Sequence, residues 1–271
     1  MDNRPIGVFD SGLGGLTAVR ELCRLLPEEN IVYFGDTGRV PYGSRSRETI
    51  VKYARQDVAF LRTFDLKAIV IACGTVSTTA LDTLAAENPI PVLGVVAPAA
   101  KAAAEATRNG TIGLIGTQAS IRSGAYERYI QTQRPGTVVL AQPCPLFVPL
   151  VENGRFHRGD VVIETVAAEY LQPLKQAGVD TLVLGCTHYP LLEEVISDYM
   201  GPEVTLINAG AAGARAVADR LRETDALASR KEGGTCRCFV SDRQEDFARI
   251  ASTFLGWDVS GAVGQIDISR Y

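Results

Sequence analysis

Short runs of β-branched and other apolar residues recur along the chain, and most are followed by a stretch with helical periodicity. Strands buried on both faces read as unbroken apolar runs, so this alternation predicts an α/β fold of parallel strands joined by crossover helices. The predicted strands are Ile6–Asp10, Ile31–Asp36, Ala68–Cys73 and Pro91–Val96, then Ile112–Thr117, Val138–Cys144, Thr181–Cys186 and Val204–Ala209. A helix at Ala211–Arg222, a strand at Cys236–Val240 and a helix at Gln244–Leu255 follow, with no packing partner legible for them. The charged stretch Arg222–Gly234, rich in Ser, Lys, Glu and Gly, reads as a surface connection.

The eight strands fall into two sets of four, the second displaced from the first by 106, 107, 113 and 113 residues. Regular βα spacing alone could produce such an offset. Local text strengthens it: Ile6-Gly7-Val8-Phe9 matches Ile112-Gly113-Leu114-Ile115, and Val70-Ile71-Ala72-Cys73-Gly74-Thr75 matches Val183-Leu184-Gly185-Cys186-Thr187. An internal duplication is expected, with two similar α/β lobes of mostly parallel sheet facing each other across a cleft.

Composition narrows the function. The 271 residues are 46% hydrophobic, enough for a sizeable core. The 27 Lys+Arg against 31 Asp+Glu give a net charge of −4, which argues against a nucleic-acid footprint. The longest apolar stretch, Val92–Ala100, contains Pro98 and stops at Lys101, well short of the run of about 18 that suggests a membrane span. No signal peptide is read at MDNRPIGVFD, so a cytoplasmic location is expected. The six cysteines are then expected to be reduced. One Cys-x-Cys (Cys236, Cys238) and two histidines, 157 and 188, do not match zinc-ligand spacing, and no metal is expected.

In open parallel sheets the functional crevice lies beyond the carboxyl ends of the strands. There the chain places Asp10-Ser11-Gly12-Leu13-Gly14-Gly15, Pro41-Tyr42-Gly43-Ser44, Cys73-Gly74-Thr75, Gly116-Thr117-Gln118 and Cys186-Thr187-His188-Tyr189-Pro190. The glycines after Asp10 do not complete G-x-G-x-x-G; they permit a tight turn, or present backbone N–H groups to a small anion such as a carboxylate. Ser and Thr at these turns are ordinary helix caps, yet several gathered at one cleft would supply donors for a small diacid. Cys73 and Cys186 stand where a strand gives way to a helix, a place that lowers a thiol pKa and populates thiolate. Cys23, Cys144, Cys236 and Cys238 read as small buried hydrophobes. Two opposed thiols could work both faces of one carbon, one removing a proton and the other returning one, which is racemisation without a cofactor. A Cys186–His188 pair for acyl transfer competes, but leaves Cys73 unexplained.

At these residues the chain resembles the aspartate/glutamate racemase family, its glutamate-specific members in particular. The resemblance rests on Gly7–Gly15, Pro41-Tyr42-Gly43, Ile71-Ala72-Cys73, Gly116-Thr117-Gln118-Ala119, Leu150-Val151-Glu152-Asn153-Gly154 and Gly185-Cys186-Thr187-His188-Tyr189-Pro190-Leu191, which span nearly the whole chain in family order. It implies two pseudosymmetric α/β domains, residues 1–97 plus 208–271 and residues 98–207. It also implies interconversion of L- and D-glutamate for peptidoglycan, with neither pyridoxal phosphate nor metal. Carried over, Cys73 would deprotonate D-glutamate with help from Asp10, and Cys186 L-glutamate with help from His188 and Glu152. Asp10, Ser11, Tyr42, Gly43, Gly74, Thr75, Thr117, Thr187 and His188 would bind substrate. A homodimer stands as an expectation that no motif tests.

Two positions depart from the family pattern. Gly74 replaces an asparagine whose amide would bond the substrate, so weaker affinity or another acid is expected, as in an aspartate racemase or a decarboxylase. Ile207-Asn208-Ala209-Gly210 replaces an Asp-Ser motif. A second class, a two-lobed acid-binding protein without catalysis, fits the duplication but not the paired cysteines.

Overall fold

The computed structural model describes residues 1–259 and 261–271. Its strands are β1 (Ile6–Asp10), β2 (Ile31–Gly35), β3 (Ala68–Ile71), β4 (Val92–Gly94), β5 (Thr111–Gly116), β6 (Val138–Pro143), β7 (Thr181–Leu184), β8 (Thr205–Asn208), β9 (Cys236–Val240) and β10 (Val263–Gln265). They form a six-stranded sheet in the order β10-β9-β2-β1-β3-β4 and a four-stranded sheet in the order β6-β5-β7-β8. Every pairing is parallel. The order β2-β1-β3-β4 in one sheet is repeated as β6-β5-β7-β8 in the other, as the duplicated text predicts.

β1, β2, β3 and β7 are buried along their whole length, which is why their sequences run apolar without alternation. The C-terminal segment finds its partner in β2: β9 pairs with it from Ile31↔Cys236 to Gly35↔Val240, and β10 adds a further edge. β10 escaped the sequence reading. Several predicted strands also run too far, because Cys73, Cys144 and Cys186 lie in the turns that follow β3, β6 and β7.

A helix over Ala209–Glu223 lies between the sheets, packed on the helices Leu16–Leu25 and Val96–Ala106. Its first turns, Ala209 to Ala214, are small residues buried on every side, so neighbouring backbones approach closely, and Val217, Ala218 and Leu221 continue the buried face beyond them. Asn208 caps this helix, its Oδ1 accepting from the Ala211 N–H at 3.0 Å. That is the structural role of the position where the family motif is not kept. Among the described residues, no helix is long and apolar enough to cross a membrane.

Candidate active site

In each sheet the strand order reverses beside its first strand, between β1 and β3 and again between β5 and β7. Such reversal points are where open parallel sheets hold ligands, because the loops leaving adjacent strands diverge there. The two crevices share one cavity of about 340 Å³. Ser11, Gly12, Cys73, Gly74 and Thr75 line it from the first sheet, and Thr117, Cys144, Cys186, Thr187 and His188 from the second. No lysine or arginine is among its lining residues.

Cys73 caps the short helix Gly74–Thr79, and its Sγ lies 3.5 Å from Ser11 Oγ, to which it donates. The expected depression of its pKa does not occur. Burial, reinforced by the nearby Asp10 charge, pushes the thiol up to about 12, so desolvation outweighs the helix terminus. Cys186 lies on the opposing turn, with its Sγ 3.8 Å from His188 Nδ1. The other ring nitrogen, Nε2, is 2.9 Å from Glu152 Oε1. Burial alone would lower the His188 pKa, but the bonds to Cys186 and Glu152 prevail and carry it up to about 10. Near neutral pH the ring is therefore an imidazolium, held on one side by carboxylate and on the other by sulfur. Phe254 of the C-terminal helix meets it edge-on, with ring centroids 5.7 Å apart.

Asp10 does not line the cavity. It is wholly buried beneath it, where Oδ2 accepts from the Gly12 N–H at 2.8 Å and Oδ1 from the Thr187 hydroxyl at 3.2 Å. Burial raises its pKa against the opposing effects of His188 and these bonds. Asp10 thus ties the Ser11-Gly12 turn of one sheet to Thr187 of the other. Thr17 makes a second tie, donating to the Thr187 carbonyl at 2.9 Å.

Thr117 is both cap and cavity residue: its Oγ1 accepts from the Ser120 N–H at 3.2 Å and lies 2.9 Å from Thr75 Oγ1. The alternatives left open for such hydroxyls therefore coexist. Tyr42 and Gly43 line the cavity as expected, but the Tyr42 hydroxyl is occupied, donating to Asp36 and lying 3.2 Å from Asp57. Burial and these two carboxylates push the phenol pKa upward, and Arg39 completes the cluster at 2.9 Å from Asp57. No motif in the sequence points to this cluster, since Asp57 sits within the helix Arg47–Leu61. Cys144, Val148 and Pro149, likewise outside the motifs, form an apolar wall of the cavity. The position of Cys144 just after β6 was the signal available for it.

Paired parallel sheets whose reversal points each present a cysteine to a common cavity define a class. The chain belongs to the Asp/Glu/hydantoin racemase family, whose model matches residues 11–217, and is an amino-acid racemase. Among individual relatives it is 46% identical to the glutamate racemase of Geobacter metallireducens over 265 residues, 98% of this chain and 97% of that protein. To the glutamate racemase of Streptococcus gordonii it is 46% identical over 270 residues, 99% of this chain and 100% of the other. The crystal structure of glutamate racemase RacE1 from Bacillus anthracis superposes with a TM-score of 0.94 at 37% identity, covering 98% of each chain. That of the Francisella tularensis glutamate racemase in complex with D-glutamate gives 0.91 at 37% identity, covering 100% of each.

Proposed function

We propose that this chain interconverts L- and D-glutamate through two cysteines, without pyridoxal phosphate or metal, in the cytoplasm, supplying D-glutamate for peptidoglycan. The observation that carries the mechanism is that Cys73 and Cys186, from equivalent strands of the two sheets, line one cavity. The choice of glutamate is supported by the full-length similarity to glutamate racemases. The lobes are taken as residues 1–97 plus 208–271 and residues 98–207, the C-terminal strands extending the first sheet.

The two thiols are not in equivalent settings. The His188 ring stands beside the Cys186 sulfur, while Cys73, buried and next to Asp10, is held as thiol. With L-glutamate bound, the Cys186 thiolate takes the α-proton and the electron pair delocalises into the α-carboxylate. The Cys73 thiol then delivers its proton to the opposite face. This leaves Cys73 as thiolate and Cys186 as thiol, the arrangement needed for D-glutamate. Ser11 accepts from the Cys73 thiol, and Asp10 acts on it by charge and by holding the Ser11-Gly12 turn. Ser11, Gly74, Thr75, Thr117 and Thr187 offer hydroxyl and backbone donors to the two carboxylates.

Cys73→Ser and Cys186→Ser are each expected to abolish inversion, because both faces of the carbon need a proton carrier. Cys23→Ser, Cys236→Ser and Cys238→Ser should alter stability only. The measurement is circular dichroism of L- and D-glutamate with time, and near-normal inversion by either cavity variant refutes the two-thiol mechanism.

A further inference from the structure

Gly74 is more than a missing amide. A Cβ built on it would stand less than 3.0 Å from the carbonyl oxygen of Gly185, closer than real Cβ atoms come, and that neighbour is backbone. Gly74 directly follows Cys73, and Gly185 directly precedes Cys186. A Cβ on Gly14 would likewise fall within 3.0 Å of Thr187 Oγ1 and of His188 Nδ1, the residues just after Cys186. The Cys186 turn is therefore pressed on both flanks against glycines of the first sheet. Gly185 cannot retreat freely, because its N–H donates to the Ile115 carbonyl at 2.8 Å.

We propose that Gly74 and Gly14 are positioning residues that set the separation of the two sulfurs, by letting the Cys186 turn seat against the Cys73 turn with no side chain between them. This reading rests on the two-thiol mechanism above. An asparagine at position 74 cannot enter this space without moving Gly185, and with it Cys186. Proton removal needs one sulfur at the α-carbon, whereas inversion needs both at once. Widening the gap should therefore uncouple the two.

The test follows L-glutamate in D₂O, measuring D-glutamate formation by circular dichroism and deuterium at the α-carbon of the recovered L-enantiomer by mass spectrometry. Gly74→Ala is expected to slow inversion by about a hundredfold, the scale of an ångström's misplacement. Deuterium entry without inversion should continue, so the ratio of exchange to inversion rises. Gly14→Ala, which pushes side chains rather than backbone, should move the ratio the same way by about tenfold in rate, and it decides the matter if Gly74→Ala does not fold. Gly116→Ala is the control: its Cβ would meet nothing nearer than Ile121 at 3.4 Å, and parental behaviour is expected. An unchanged ratio in the glycine variants, whether both rates fall together or neither does, overturns the proposal. Cys73→Ser and Cys186→Ser run alongside separate the two ideas. If they keep inversion, the two-thiol mechanism fails; if they lose it while the glycine variants keep the parental ratio, only the spacing role fails.

Discussion

His188 shows how two contacts can overrule burial. Removing the charge of Glu152 weakens one of the two contacts that raise the imidazolium pKa to about 10. Glu152→Gln should therefore move the alkaline fall of kcat/KM to lower pH, because the imidazolium now deprotonates sooner. A pH–rate profile of parent and variant measures this, and an alkaline limb that stays in place excludes His188 as its source. Much of this site was legible because chemistry-bearing residues follow predicted strands: Ser11, Cys73, Thr117, Cys186 and His188 all fall where strand ends converge. What stayed hidden depends on distant backbones meeting. Nothing in Ala-Cys-Gly-Thr says that the carbonyl of Gly185 fills the space beside Gly74, nor that the Tyr42 hydroxyl is already spent on Asp36.

Among the elements, the turn from the Val96–Ala106 helix into β5 hangs on one carboxylate. Asp180 accepts from Thr107 Oγ1 and from the Arg108 and Asn109 N–H groups, each at 2.7 Å. Burial opposes the charge, but these bonds prevail and hold its pKa below the usual 3.8. A carboxyl depressed in the folded state contributes stability above its unfolded pKa and loses it as pH falls through the folded value. Asp180→Ala should cost about 1.5–3 kcal/mol at pH 7, the range for hydrogen bonds to charged groups. Urea unfolding measures it, and the deficit should shrink below pH 3.8 while kcat is unchanged. The strands of this sheet were legible from their apolar runs, but their ends were not, since a cysteine reads as apolar whether it lies in a strand or in the turn beyond. β10 was invisible for another reason. Val263-Gly264-Gln265 is too short and too weakly apolar to signal a strand, and it exists because β9 offers it an edge.

Across the whole molecule, the N-terminal segment and the connection leading to β9 are fastened together by a buried ion pair. Lys67 Nζ lies 2.5 Å from Glu29 and donates to the carbonyls of Asp2 and Ala226 at 2.8 Å, while Glu29 Oε1 accepts from the Ala228 N–H. Lys67→Met leaves the buried Glu29 charge without its counter-ion, a change that typically costs about 3–5 kcal/mol. A clear fall in Tm is expected, with the kinetics of the folded fraction intact; a Tm within a degree or so of the parent contradicts this account. At the same scale, the cavity's lack of lysine and arginine has a consequence for the ionic medium. A net charge of −4 does not draw an anionic amino acid inward, and the His188 cation beside the sulfur is already matched by Glu152. In the proposed site, capture of substrate would depend on short-range neutral donors, which mobile ions do not screen. Between about 0.01 M and about 1 M salt the Debye length shrinks from about 30 to about 3 Å, yet kcat/KM for glutamate should hold steady or rise slightly as the repulsion is damped, so the enzyme should work alike in dilute and in salty surroundings.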